Sequence, residues 1–215
     1  MLDSTLMPTV IFEDEALLVL HKPAGLLVHP NGWAEEPLAE TLVGWVQAYT
    51  QAPAYLAHRL DRATSGLILL GKNEQVARIL MESFLRQEVQ KKYVAVVRGW
   101  PAADVFRVER PLAKDLDGPL QDACTDFRVF SRSTCAFNST GRYPSSRYSL
   151  LWAEPQTGRM HQIRRHLAMQ RHYLIGDSKH GDNTQNNYLR QYQGITRMLL
   201  HAVELRLPHP EQAGQ

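Results

Sequence analysis

Apolar residues along this chain follow two rhythms: short strand-like stretches and a smaller number of helical repeats. The stretches at 9–12, 17–21, 67–70, 93–97, 125–130, 148–152 and 198–207 are rich in Val, Ile, Leu and aromatic residues, and each predicts a strand. Leu38, Leu42, Val46 and Tyr49 recur at helical spacing and predict a helix over 38–49. The signal is clearer over 74–89, where Val76, Ile79, Leu80 and Phe84 share one face and Asn73 stands in position to cap. A third, shorter helix is predicted over 161–171. Strands and helices in irregular order argue against strict βαβ alternation. The expected class is α+β, with a mixed, largely antiparallel sheet flanked by helices.

Composition narrows the class further. The 215 residues are 44% hydrophobic and 21% charged, which excludes a disordered tail, a coiled coil and a collagen-like fibre. No repeat, low-complexity tract or Ser/Gly linker marks a boundary, so a single domain over 1–215 is expected. The N-terminal residues lack a secretory signal, and no apolar run is long enough for a membrane helix. Cys124 and Cys135 have neither metal-like nor redox-motif spacing. A reduced, cytoplasmic protein without membrane or metal is the expectation, and a monomer, for lack of an obvious exposed apolar stripe.

The net charge of +2 conceals an asymmetry. Residues 1–58 carry Asp3, Glu13, Asp14, Glu15, Glu35, Glu36 and Glu40 against Lys22 alone. Residues 142–172 carry Arg142, Arg147, Arg159, Arg164, Arg165 and Arg171 against Glu154 alone, with His161, His166 and His172 among them. Arginine's planar fork suits phosphate. Charge alone leaves a polyanion-binding face and an idle solvated face equally open.

The segment His58-Arg59-Leu60-Asp61-Arg62-Ala63-Thr64-Ser65-Gly66 runs directly into an apolar strand. Nearby cations favour an ionised Asp61, which suits a nucleophile or base. The same letters also fit a structural ion pair beside a plain Thr-Ser-Gly turn. A kinase loop needs His-Arg-Asp in that order. A hydrolytic glycosidase needs a second, matching carboxylate, and a helical zinc motif needs histidines four apart, whereas His161 and His166 are five apart. What remains is chemistry run by one carboxylate with no cofactor.

The 58–66 segment resembles the signature of the RluA-type pseudouridine synthases. Further blocks match that family in its order: Lys22-Pro23-Ala24-Gly25-Leu26-Leu27-Val28-His29-Pro30, then Lys91-Lys92-Tyr93-Val94-Ala95 with Gly99. Gly158-Arg159-Met160-His161-Gln162-Ile163-Arg164-Arg165-His166 follows, then Gly176-Asp177 with Gly181, and Leu200-His201-Ala202. The resemblance spans roughly residues 11–210. It extends to the family's tRNA-modifying branch through Gly141-Arg142-Tyr143-Pro144 and 176–182, where His180 stands in place of the Tyr of most relatives.

The resemblance implies a pseudouridine synthase catalytic fold and a cofactor-free isomerisation of uridine in RNA, most specifically tRNA. The implied target is uridine 65, at the junction of acceptor stem and T arm. It implies Asp61 as the nucleophile on C1′ or C6, Tyr93 stacked on the base, Arg164 as partner of the aspartate, and Arg59 filling the space of the extruded uridine. Lys22, His58, Arg62 and Arg159 join the substrate-binding set, with Lys22 and the arginines of 142–171 at phosphates. His161 and Gln162 orient the helix start, while Leu60 and Ile163 wall the pocket. Relatives often carry an N-terminal S4-type domain and a further C-terminal segment, neither of which is expected here. A synthase of ribosomal RNA, a non-catalytic RNA-binding protein of the same fold and an aspartate-dependent nucleoside hydrolase are the alternatives.

Overall fold

The computed structural model describes residues 4–30, 37–114 and 118–210. Asp3, Glu35, Glu36 and the terminal residues 211–215 lie outside the described residues. The elements in chain order are β1 (Thr9–Glu13), β2 (Leu17–Lys22), α1 (Leu42–Thr50), β3 (Tyr55–Leu56), β4 (Ser65–Gly71), α2 (Glu74–Leu85) and β5 (Gln90–Arg98). There follow β6 (Val105–Glu109), β7 (Leu112–Ala113), β8 (Leu120–Gln121), β9 (Cys124–Cys135), β10 (Ser146–Pro155), α3 (Gln162–Met169), α4 (Asn183–Gln193) and β11 (Leu200–Arg206). No helix among the described residues is long and apolar enough to cross a membrane. The expected α+β class holds, and the pairs β1–β2, β2–β4, β3–β4, β5–β10, β9–β10 and β6–β9 run antiparallel.

The chain forms two compact units, one of residues 1–90 with 202–215 and one of residues 91–201. In the first, the strand order is β1-β2-β4-β11, with β3 also on β4. Its core joins Leu17 and Leu69 of the strands, with Ala16 just before β2, to Val76 and Leu80 of α2. Those two α2 residues belong to the apolar face that helical spacing predicts. Asn73 caps that helix by accepting the Val76 N–H at 2.9 Å. The helix ends at Leu85 rather than 89, because Gln87 adopts a left-handed backbone at φ 60°. Helix α1 is also shorter than predicted. Residues Leu38–Glu40 form a separate 3-10 turn, and the Thr41 hydroxyl accepts the Gly44 N–H at 3.2 Å to start the helix afresh.

The second unit orders its strands β5-β10-β9-β6. Strand β9 runs five residues past the predicted end at 130, through exposed Ser131, Arg132, Ser133 and Thr134. Pairing with β10 carries this polar extension, which has no apolar alternation to reveal it. Helix α3 spans Gln162–Met169, inside the predicted 161–171, since His161 and Arg171 both take left-handed backbones. Helix α4 has no counterpart in the prediction. Its sequence NTQNNYLRQYQ has few apolar residues and weak helix formers. The Asp182 carboxylate caps it at the Gln185 N–H (3.2 Å), and Gln185, Asn186 and Leu189 are buried against the unit.

Gly66 begins β4 with φ +115°, and a Cβ there would meet the Ala202 carbonyl oxygen at 2.2 Å. The obstacle is backbone of β11, which cannot rotate away, so strand contact and dihedral both demand glycine. Gly66→Ala is expected to destabilise the protein by about 2–4 kcal/mol, read as a lower midpoint in urea denaturation. A wild-type midpoint would show that the two strands separate freely.

Candidate active site

The loop bearing Asp61 is built from backbone hydrogen bonds rather than from side-chain packing alone. The Thr64 N–H donates to the Asp61 carbonyl at 3.1 Å, closing a turn ahead of buried Thr64 and Ser65. The Gly25 N–H donates to the Arg62 carbonyl at 2.8 Å, and Arg62 Nε returns a bond to the Gly25 carbonyl at 2.9 Å. His58 secures the other end: its Nε2 accepts the Leu69 N–H at 3.1 Å and its ring packs on Phe84. Sequence reasoning placed His58 and Arg62 with the substrate. The structure shows both tying the loop to its own unit, with the Arg62 side chain still exposed.

Lys22 departs most from expectation. It is fully buried, and no phosphate can reach its ammonium. Its Nζ donates to the carbonyls of Pro23 (2.9 Å), Leu26 (2.9 Å) and Arg62 (3.1 Å). A strand-end lysine in a glycine-containing loop reads as a surface cation, but here three carbonyls converge to replace its water. Burial pushes the ammonium down to about 7, Asp61 pulls it back up and Arg62 opposes it. The charge on Asp61 is thus felt by the cation beneath its loop.

The remaining predicted residues of this unit sit where a substrate could meet them. Asp61 is half-buried, Leu60 buried and Arg59 exposed. Arg59 Nη1 lies 3.2 Å from His29 Nε2. Both line an open depression of about 330 Å³ with Leu56, Ala57, His58 and Met81.

In the second unit, Tyr93 is buried on β5 opposite Ala153 of β10. The predicted helix start is held by Gln162. Its Oε1 accepts the Thr157 hydroxyl (2.6 Å) and the Arg159 N–H (3.0 Å), while its Nε2 donates to the Cys124 carbonyl (2.9 Å) and Thr125 Oγ1 (3.0 Å). Thr125 Oγ1 lies 2.9 Å from His166 Nδ1, and His166 Nε2 lies 3.0 Å from the Arg110 carbonyl. That carbonyl can only accept, so Nε2 carries the proton and Nδ1 accepts from Thr125. Burial holds His166 below the ordinary histidine value, in keeping with a neutral ring. Gln162 therefore ties the turn to Thr157, Arg159, Cys124 and Thr125, and the next residue, Ile163, is buried.

Arg164 is buried and bidentate: Nε and Nη2 donate to the two carboxylate oxygens of Asp177, both at 2.8 Å. Burial pushes the Asp177 carboxyl up, but Arg164 and the N–H groups of His180 and Lys179 outweigh it and leave it below the ordinary range. Asp177 was visible only as part of a sequence block; nothing in its spacing showed that it holds Arg164. Of the arginine-rich stretch, Arg164 is therefore no surface cation. Arg165 is half-buried with Nη1 on the Ala113 carbonyl at 2.8 Å, while Arg142, Arg147, Arg159 and Arg171 are exposed. Arg147 lies over the Trp100 ring at 4.4 Å, and Arg159 Nε donates to the Asp122 carbonyl at 3.0 Å. No cluster of three or more metal-ligating side chains occurs among the described residues.

Lys22→Met removes the three donors and leaves the buried Leu26 carbonyl without its ammonium. It is expected to destabilise the protein by about 1–3 kcal/mol, measured by urea denaturation at pH 6, where Lys22 is charged. An unchanged midpoint would mean that other donors serve those carbonyls.

Comparison with known proteins places these features in context. A family model described as RNA pseudouridylate synthase matches residues 16–169. The tRNA pseudouridine synthase C of Salmonella typhi is 39% identical over 215 residues, covering 95% of this chain and 81% of its own. That of Vibrio cholerae is 35% identical, covering 95% and 86%. Among solved structures, human RNA pseudouridylate synthase domain containing 4 superposes with TM-score 0.70 at 25% identity, covering 94% of this chain and 85% of its own. Human RNA pseudouridylate synthase domain containing 1 shares the fold, with TM-score 0.77 at 21% identity, covering 98% and 82%. With residues 16–169 matched by that family model and 95% of its length covered at 39% identity, the chain belongs to the RNA pseudouridylate synthase family, of the RluA type.

Proposed function

We propose that this chain isomerises uridine to pseudouridine in tRNA, at uridine 65, with Asp61 as the nucleophile, and that it works as a cytoplasmic monomer. The observation that carries the substrate is its 35–39% identity, over 95% of its length, to enzymes named tRNA pseudouridine synthase C. The exposed Arg142, Arg147, Arg159 and Arg171 support a polyanionic partner.

In this reading the Asp61 carboxylate attacks C1′ of the ribose or C6 of the base. The C1′–N1 bond breaks, the uracil turns, and C1′ bonds to C5 as the bond from Asp61 to the nucleotide breaks and the free carboxylate returns. The C5 proton is then lost and N1 ends protonated, so the product is an isomer of the substrate. No redox change or group donor enters the balance. Tyr93 supplies a ring face for the base and a hydroxyl that can relay the C5 proton. Arg164, fixed by Asp177, is the cation this reading assigns as partner of the aspartate. Arg59 takes the place of the extruded base, and it lines an open depression together with Leu56 and Met81.

Tritium release from 5-labelled uridine in a tRNA transcript tests the reading. Wild type is expected to release label from one position, and Asp61→Asn to release at least 1,000-fold less while binding the same tRNA within about threefold. Release by Asp61→Asn would remove the aspartate from its role. Release only from ribosomal RNA fragments would move the substrate, and free uracil among the products would indicate a hydrolase.

Salt supplies an independent check. Raising salt from 50 to 200 mM is expected to weaken tRNA binding by about tenfold or more, as a few neutralised phosphates release their counterions. An affinity unmoved by salt would exclude the exposed arginines as the contact face.

A further inference from the structure

His161 and His180 form a contact that the isomerisation does not use. His161 Nδ1 lies 2.9 Å from His180 Nε2, with the rings edge-on at 74° and their centroids 5.1 Å apart. Each histidine is tied to Arg164 by a different route. His161 occupies the left-handed position (φ 54°) before α3, and its carbonyl accepts the Arg165 N–H at 2.9 Å. His180 donates its backbone N–H to Asp177 Oδ1 at 3.0 Å, on the carboxylate that grips Arg164. The side-chain contact closes a loop of bonds from α3 through Arg164 and Asp177 back to α3.

A nitrogen–nitrogen hydrogen bond has a fixed proton requirement. One ring must donate and the other must accept with a bare lone pair. The neutral pair meets this, and so does the pair carrying one extra proton on the donor's far nitrogen. A second extra proton has only the accepting nitrogen to occupy, and two N–H groups then oppose each other. The charged groups facing His180 are Asp177, which favours its protonation, and Arg164, Lys179 and Arg165, which oppose it. Burial opposes it most, and the ring lies below the ordinary histidine value.

We propose that His180 is a positioning residue for the isomerase site: its bond to His161 fixes the turn that presents Arg164, and double protonation of the histidine pair releases that turn. The sign follows from the geometry. The contact survives the first extra proton and is lost only with the second, which binds well below the ordinary histidine range because burial already holds His180 down. The consequence for turnover rests on the proposed isomerisation, whereas the consequence for Arg164 does not.

His180→Gln offers a non-titrating amide to His161, and His180→Leu offers nothing. At pH 7.5, His180→Leu is expected to lose at least tenfold in kcat with tRNA affinity unchanged, and His180→Gln to recover most of it. Between pH 7.5 and 4.5 the wild-type kcat should fall several-fold, with the fall confined to the acid end, and His180→Gln should hold its rate. The structural readout is hydrogen exchange of the Arg164 Nε–H by NMR, which the Asp177 bond protects. Its protection, taken relative to intrinsic exchange at the same pH, should fall in acid for wild type, but not for His180→Gln. Equal protection in both proteins at pH 4.5, or a wild-type kcat in His180→Leu, overturns the proposal. Differential protection in proteins that leave tRNA unmodified would uphold the positioning role and reject the isomerisation instead.

Discussion

A buried ammonium joins two segments forty residues apart in the chain. Lys22 ends an apolar strand, and its Nζ meets carbonyls of its own loop at Pro23 and Leu26 and of the Asp61 loop at Arg62. Carbonyls of two loops do not converge by preference, since their dipoles repel at the negative end. A cation with three protons between them reverses that cost. The neutral amine has only two hydrogens, so holding all three carbonyls requires the charged form. Asp61 favours this charge, and burial opposes it. The loop that holds the carboxylate is thus stabilised by a cation that the carboxylate itself helps to keep charged. Removing either charge weakens the case for the other.

The sequence showed its apolar architecture more readily than its polar architecture. Strands β2, β4, β5 and β10 and the face of α2 were legible because burial imposes a period on apolar residues. The polar half of β9 and the Asn/Gln-rich α4 were not, since each is held by strand pairing or capping that leaves no apolar period. The same division runs through the site. The motifs marked Asp61, Gln162 and Arg164 as residues of consequence. They did not show that Lys22 is buried, that His58 serves the Leu69 amide, or that Asp177 grips Arg164. A polar side chain's letter is the same whether it faces phosphate, water or a backbone carbonyl. Its partner is set by tertiary contacts that no local window contains.

The two units hold their buried cations by different chemistry, and the difference follows from the cations. Lys22 is a compact charge with three protons in a tetrahedral array, and neutral carbonyls from three directions fit it. Arg164 presents a flat fork, and the two oxygens of Asp177 match it edge to edge at 2.8 Å. The lysine can lose its proton when burial is severe, and burial does bring it down to about 7. The guanidinium cannot, so a buried arginine needs a full countercharge. Asp177 supplies it, and its own burial is offset in turn by Arg164 and two backbone N–H groups. Exchanging the two cations would therefore fail in both places. An ammonium at 164 would leave the Asp177 carboxylate with one point contact instead of two parallel bonds. A guanidinium at 22 would place a planar, permanently charged group among carbonyls arranged for a smaller, tetrahedral one.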